Sequence, residues 1–367
     1  MKIALIHFTA APIVGGVERV MEEHARIFAA NGHEVTVVCG SGGDGRAVIL
    51  PTDKSADAQV LALRPVLAEQ ELVIVHNVMT MPFHIGLTEA LWRLADELPR
   101  VRFIGWVHDV AANNTDYPDA PAILRKTHPR FELVAVSALR ARDFKKATLE
   151  FARACRVVPN GLDPARVLGL PANVAEFARA HDLLDGRMVL LHPARLVRRK
   201  KIETSLAVAK EPVMRRKFTT VLITAASDPH REDSRTYLDE LRKKFGPGDG
   251  HLFVGEHLAI GDAELAGLYL LADALLFPSR REGFGLPLIE AAMHRLPVFC
   301  SGIDPLRELL RENVTHFPPD ARAAQIAMLI VATLEASPAY RERKRMLREY
   351  GWPAIFRRHL APLLAGV

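Results

Sequence analysis

The chain has 367 residues, 49% hydrophobic and 25% charged, with a formal net charge of +5. That balance excludes wholesale disorder, and the length exceeds one ordinary domain, so two domains are expected. Cys39, Cys155 and Cys300 form no CxxC pair. They exclude a disulfide framework or zinc site and fit a reducing cytoplasm, while the modest basicity suits an anionic substrate, a membrane surface or nucleic acid without selecting one.

In chain order, KIALIHF (2–8) reads as a buried strand, because charges follow too early for a signal peptide or membrane span. A loop, TAAPIVGG, precedes a segment in which Val17, Val20, Met21, Ala25 and Phe28 recur at helical spacing, with Asn31–Gly32 as a stop. HEVTVV, ELVIVH (71–76), VRFIGWVH (101–108), ELVAVS (132–137) and CRVVPN (155–160) are the next strands. Residues 162–186 read as a connection with one short helix. The pattern then restarts with strands MVLLHPAR (188–195), TTVLITA (219–225), HLFVG (251–255), ADALLFP (272–278) and LPVFCS (296–301). Helices fit around 201–210, 232–245, 262–270, 287–294 and 320–335. Strands alternating with helices imply parallel sheets covered on both faces, with ligand-bearing loops at the strands' C-terminal ends. The tail EYGWPAIFRRHLAPLL is amphipathic and is expected to pack across both halves.

Four loops carry candidate chemistry. Gly15–Gly16 precedes a helix, where a phosphate can approach the backbone and the helix dipole favours an anion; a tight strand-to-helix turn explains the pair equally simply. Neither GxGxxG nor GxxxxGK[ST] is present, which counts against a nicotinamide enzyme and a P-loop ATPase. VHDV places His108 and Asp109 at a strand end, where Asp109 can face a ligand or brace the loop. HPARLVRRKK brings Arg195 and Lys200 after a strand, a fork and a point charge suited to a diphosphate; Arg198 and Arg199 read as a solvated basic run. No aromatic stripe or reading motif accompanies these cations, so nucleic acid is not expected. In EGFGLPLIEAAMHRLP, Glu282 sits on a glycine-rich loop and Glu290 in the first turn of the helix after it. Such carboxylates can grip sugar or ribose hydroxyls, and their placement does not indicate a paired-acid hydrolase. No Asp-x-Asp occurs, so a metal-held nucleotide sugar of the type that uses that motif is unsupported.

Together these loops resemble the family-4 retaining glycosyltransferases of GT-B architecture, over nearly the whole chain: GGVERVMEEHARIFAANGHEVTVV, VHD, VVPNGLD, ARLVRRKK, HLFVGEHLAIGDAELAGLYLLADALLFPS and EGFGLPLIEAAMHRLPVFCS. The most specific feature is the E-x7-E spacing of Glu282 and Glu290. The resemblance implies an α/β fold of two Rossmann-like parallel-sheet domains facing a central cleft. Residues 1–165, with a returning helix at 350–367, would be the acceptor side, and 166–349 the nucleotide-sugar donor side. It also implies roles. Gly15 and Gly16 would face the donor diphosphate, and His108 would lie beside the transferred sugar. Arg195 and Lys200 would neutralise the leaving diphosphate, although Lys201 stands where the family commonly has glycine. Glu282 would hold sugar hydroxyls with Gly283, Phe284, Gly285 and Leu286; Glu290 would grip the ribose, and the base would rest near Val254, Gly255 and Glu256.

The implied reaction is retaining transfer of a hexose from a UDP- or GDP-linked sugar to a hydroxyl on a sugar, glycan or glycolipid, with no metal and no cofactor. A sugar-nucleotide epimerase and a silent nucleotide-binding module share the architecture and are the alternatives. Residues 41–60 and 113–130 match no family motif and are where acceptor preference would be written. Segment 137–156 sets Arg140, Arg142, Lys145, Lys146 and Arg153 beside Leu139, Phe144, Leu149 and Phe151. That pattern suits a solvated domain helix or peripheral contact of a cytoplasmic protein with anionic membrane.

Overall fold

A computed structural model describes residues 1–224, 233–246, 248 and 250–366. The chain forms two compact units, Met1–Gly161 with Trp352–Val367, and Leu162–Gly351. The first therefore ends four residues before the expected boundary, and its returning tail begins two residues after it. Gly161 is the close-approach point: a Cβ there would stand 2.4 Å from the Trp352 ring. The amide of Leu162 then donates to the carbonyl of Tyr350 at 2.8 Å, within the second unit.

In the first unit the described strands are β1 (Lys2–Thr9), β2 (Glu34–Ser41), β3 (Val48–Ile49), β4 (Leu72–His76), β5 (Arg102–Val107), β6 (Phe131–Ala135) and β7 (Arg156–Val157). They are all parallel, in the order β3-β2-β1-β4-β5-β6-β7. The period of two sorts each strand's residues onto opposite faces. On β1, Ile3 and Leu5 pack with Met21, Phe28 and the returning residues Trp352, Ile355 and Leu363. Ala4 and Ile6 pack instead with Leu63, Leu67, Leu91 and Leu94. With helices on both faces the strand reads as an unbroken apolar run, and this is why it was legible. The tail packs in the core of the first unit, and is divided into Trp352–Ile355, a π-helical turn Phe356–Leu360, and Ala361–Leu364.

The second unit repeats the scheme with β8 (Val189–His192), β9 (Thr220–Ile223), β10 (His251–Phe253), β11 (Ala274–Phe277), β12 (Val298–Ser301) and β13 (Thr315–Phe317). Their order is β10-β9-β8-β11-β12-β13, again parallel. Several expectations need correction. The connection 162–186 holds two helices, Pro164–Leu168 and Ala172–Ala180, the first capped by Asp163 and closed by Gly169 at φ +66°. Helix Pro338–Tyr350 and strand β13 were not anticipated, because the helix is highly charged and the strand only three residues long. The C-terminal residue of the expected 219–225 strand and the first residue of the 232–245 helix lie outside the described residues.

The charged helix is anchored through its own cations. Lys344 is buried and meets the buried Asp273 at 2.6 Å; the same carboxylate accepts from the amide of Val189 at 2.8 Å and lies 3.8 Å from the Arg343 guanidinium. Burial holds the Lys344 ammonium below its ordinary pKa, and Asp273 opposes that shift. Removing one partner of a buried pair strands the other charge. Lys344→Met is thus expected to lower unfolding free energy by ~3–5 kcal/mol, read from urea midpoints. Among the described residues no single helix is long and apolar enough to cross a membrane; the pair Ala323–Ala336 and Pro338–Tyr350 passes only jointly, bent by 85°.

Candidate functional site

Both sheets reverse strand order once, between β1 and β4 and between β8 and β11. In open α/β sheets the connections from the two strands at that reversal leave to opposite faces of the sheet, and a crevice for ligand opens outside the strands' C-terminal ends. Most sequence candidates fall on loops that leave these strands; His108 follows the adjacent β5, and Val254–Glu256 follow the edge strand β10.

In the second unit, Lys200 closes a 3₁₀ turn, Arg198–Lys200, after β8, and Glu282 lies on the loop after β11. The Lys200 ammonium meets Glu282 Oε1 at 2.7 Å and lies 4.5 Å from the Phe277 ring centroid. Burial pushes the Lys200 pKa down; Glu282 opposes this, and Arg199 and Arg195 push it down further. Arg199 pairs with Glu282 Oε2 at 3.2 Å and donates to the carbonyl of Arg281 at 2.8 Å. Its own carbonyl accepts from the amide of Arg280, also at 2.8 Å, so the two loops are laced together across the reversal. Arg199 therefore belongs to the site, against the sequence expectation of a solvated cation. Arg198 keeps its surface role, with Glu240 at 2.7 Å and the Tyr237 ring beneath it. Arg195 is exposed three residues beyond the end of β8.

The structure separates the two adjacent lysines. Lys201 has left-handed backbone angles, φ 50° and ψ 49°, and its ammonium reaches the carbonyl of Pro319 at 3.0 Å. This is a backbone shape that glycine adopts without cost. It explains how a position commonly glycine in the resembling family sits directly after the buried lysine. Lys200, not Lys201, faces Glu282.

Gly285, at φ +108°, turns the chain into helix Leu286–Met293; a Cβ there would press on Leu306 at 2.9 Å. Glu290 is the fifth residue of that helix, one turn beyond the expected first turn, because the helix starts at Leu286. Its carboxylate accepts from Tyr269 Oη at 2.7 Å, and Tyr269 stacks on His294 with centroids 5.1 Å apart. Gly283, Phe284 and Leu286 are exposed. Strand β10 ends two residues before its expected end, and Val254–Glu256 forms a 3₁₀ turn after it, with Gly255 N on the carbonyl of Thr224 at 3.2 Å and Glu256 paired to Arg242 at 2.6 Å. Gly255 and Glu256 line a cavity of about 410 Å³ with Leu196, Thr224, Ser234 and Ile260.

In the first unit, Gly15 caps helix Gly16–Ala30 and leaves room for the Glu18 carboxylate, which a Cβ would meet at 2.0 Å. A Cβ on Gly16 would meet nothing within 4 Å. His108 follows β5, and its ring nitrogen Nε2 lies 3.0 Å from Nδ1 of His76 at the end of β4. Burial lowers the His108 pKa to about 3, with His7 contributing. Asp109 braces the loop, accepting from Val110 N and pairing with Arg140 at 3.4 Å. Sequence reasoning missed Asn77, whose Oδ1 accepts from the amides of both His108 (3.1 Å) and Asp109 (2.9 Å). Two polar residues closing the apolar run LVIVHN were its visible signal.

The family model for group 1 glycosyl transferases matches residues 173–351, and that for Glycosyltransferase Family 4 matches residues 14–166. The chain belongs to this glycosyltransferase family. Its two parallel-sheet, Rossmann-like units are those of the GT-B architecture. Among relatives of this chain, the serotype-specific mannosyltransferase WbdA of Escherichia coli is 47% identical over 62 residues, 17% of this chain and 8% of that protein. The chain's match thus spans under a tenth of that relative. The phosphatidyl-myo-inositol mannosyltransferase of Mycobacterium tuberculosis is 26% identical over 97% of this chain and 94% of its own. The glycogen synthase of the same species is 24% identical over 97% of this chain and 92% of its own.

Proposed function

We propose that this glycosyltransferase moves a hexose, with retention and without a metal ion, from a UDP- or GDP-linked sugar to a hydroxyl of a sugar, glycan or glycolipid. The observation that carries this is the buried Lys200–Glu282 pair flanked by Arg199 and Arg195: three cations against one carboxylate, on loops after the two strands of a sheet reversal. Breaking the bond between sugar and diphosphate puts negative charge on the leaving oxygen and positive charge on the anomeric carbon. Fixed cations stabilise the first without reorganising, each such contact being worth ~3 kcal/mol in the transition state. Arg195 offers a planar fork and Lys200 a point charge to the diphosphate, with the Gly15 and Gly16 amides as further donors. Glu282 holds Lys200 in place and, with Gly283, Phe284, Gly285 and Leu286, orients the sugar; Glu290, itself held by Tyr269, grips the ribose, with the base in the cavity at Val254–Glu256.

Because the space beside Gly16 is open in the first unit, Gly16→Val tests ligand approach apart from folding. The expected result is an unchanged melting temperature with donor KM raised ~10-fold or more. A donor-only incubation separates transfer from the epimerase reading: product without acceptor would mean epimerisation. Mannose is the favoured hexose, since both WbdA and the full-length inositol-lipid relative are named mannosyltransferases.

A lipid-linked acceptor at an anionic membrane is favoured by one further observation. On and beyond helix Ala138–Thr148, Leu139, Leu149 and Phe151 are exposed beside exposed Arg142 and Lys146. An apolar edge rimmed by cations can lie in an anionic interface. Sedimentation with anionic vesicles at low salt, lost in Phe151→Ser/Leu149→Ser, is the expected result; equal sedimentation of both proteins would remove the idea.

A further inference from the structure

Behind His108 the first unit holds a buried chain of rings that the transfer chemistry does not use. His76 is fully buried at the end of β4, and its carbonyl accepts from Nδ1 of His7 at 2.8 Å. His24, Trp106 and His76 are mutual neighbours, their ring centroids 4.8–5.5 Å apart. Among the described residues, three buried polar atoms of these rings have no partner: Nδ1 of His24, Nε2 of His76 and Nε1 of Trp106.

We propose that His76 is a positioning residue for sugar transfer, fixing the ring of His108 as the tautomer that carries its hydrogen on Nδ1. The proposal rests on the reading that His108 lies beside the transferred sugar. Within the His76–His108 contact one nitrogen donates and the other accepts, and the unpartnered atoms decide which. Indole Nε1–H can only donate. An unpartnered buried N–H is rarer than an unpartnered lone pair. If Nε2 of His76 carried the hydrogen, two buried N–H groups would stand in one pocket with the Trp106 donor unmet. With a lone pair there instead, Trp106 faces acceptors, and a single buried water accepting from Trp106 and donating to His24 and His76 would satisfy all three. The hydrogen of His76 then lies on Nδ1 and is donated to Nε2 of His108.

Nδ1–H is left as the polar group of the His108 ring available to a ligand. Burial supports the same state, since it keeps His76 and His24 uncharged and so prevents a second proton from entering the chain. A neutral His108 also spares the anomeric carbon, where positive charge develops, from a nearby cation. Asn77 completes the arrangement by holding the His108 backbone, from a left-handed conformation at φ 60°.

The test is a long-range proton–nitrogen correlation spectrum of the full chain with nitrogen-15 histidine, His108 being assigned with a His108→Gln variant. The expected pattern has Nδ1 of His108 protonated and Nε2 unprotonated; the reverse pattern overturns the proposal. This readout needs no turnover, so it stands or falls separately from the transferase reading. In kinetics, His76→Leu should lower kcat ~10-fold or more with donor KM within about two-fold, and His76→Asn, whose amide N–H takes the place of Nδ1–H, should recover most of that loss. Equal kcat for the Leu and Asn variants, with melting temperatures matched, would also overturn it.

Discussion

Lys200→Met is expected to lower kcat by roughly 10²–10³-fold while the protein stays folded. Folding survives because the carboxylate left behind is still met by Arg199 at 3.2 Å. The chemical loss is large because no other ammonium occupies that position: Lys201 is directed to the carbonyl of Pro319. The reciprocal change behaves differently. Glu282→Ala strands a buried ammonium, its pKa already depressed by burial and by Arg199 and Arg195, so it should cost stability, about 3 kcal/mol, as well as turnover. Comparing kcat and urea midpoints for the two variants and their double mutant separates the two effects, since the ion pair appears as a coupling term and the leaving-group contact does not. Equal destabilisation by both single variants, with turnover intact, would assign the pair a purely structural role.

A steep loss of stability is expected as pH falls from 6.5 toward 3. His24 and His108 in the first unit and His192 in the second are held uncharged by burial, each with its pKa lowered to about 3. In the unfolded chain these rings take up protons near pH 6.5. The unfolded state therefore binds more protons throughout that window. The stability is fully present above pH 6.5, falls as pH drops through the window, and levels off below the folded pKa values. Each ring contributes at most about 1.4 kcal/mol per pH unit, so these three together contribute up to ~4 kcal/mol per unit, and His76, likewise held uncharged by burial, adds to that slope. Urea midpoints between pH 8 and 5 check this, and His192→Asn should flatten the slope by up to about 1.4 kcal/mol per pH unit. His192 is a clean probe because its Nδ1 is bonded to Ser205 Oγ at 2.8 Å, an interaction an amide can replace. A pH-independent midpoint across that range would contradict the buried, neutral assignment.

What the sequence disclosed follows from where information is local. Strands such as KIALIHF and ALLF are buried on both faces, so hydrophobicity alone marks them, and alternation with helices implies parallel sheets. The lysine–glutamate site was legible as types, a cation cluster after one strand and a glycine-rich acidic loop after another. Pairing across 82 positions was not, because it depends on β8 and β11 being neighbours at the sheet reversal. Arg199 was misread for that reason: from sequence it resembles Arg198, and only the loop at Arg280–Glu282 distinguishes them. Asn77 and His76 were hidden likewise, since their partner His108 lies 31 and 32 residues away, just after the next strand. The charged helix Pro338–Tyr350 escaped because it is anchored through the cations Arg343 and Lys344, which meet Asp273 and nearby carbonyls, rather than through an evident apolar stripe.

Calorimetric titration of UDP and GDP into the full chain, in buffer containing a chelator, tests the central claim most directly. The account predicts that one nucleoside diphosphate binds without divalent cations, that the matching monophosphate binds at least ~10-fold more weakly, and that Arg195→Ala and Lys200→Met each abolish the difference. Binding that vanishes with chelator, or that is unchanged in both variants, would contradict it.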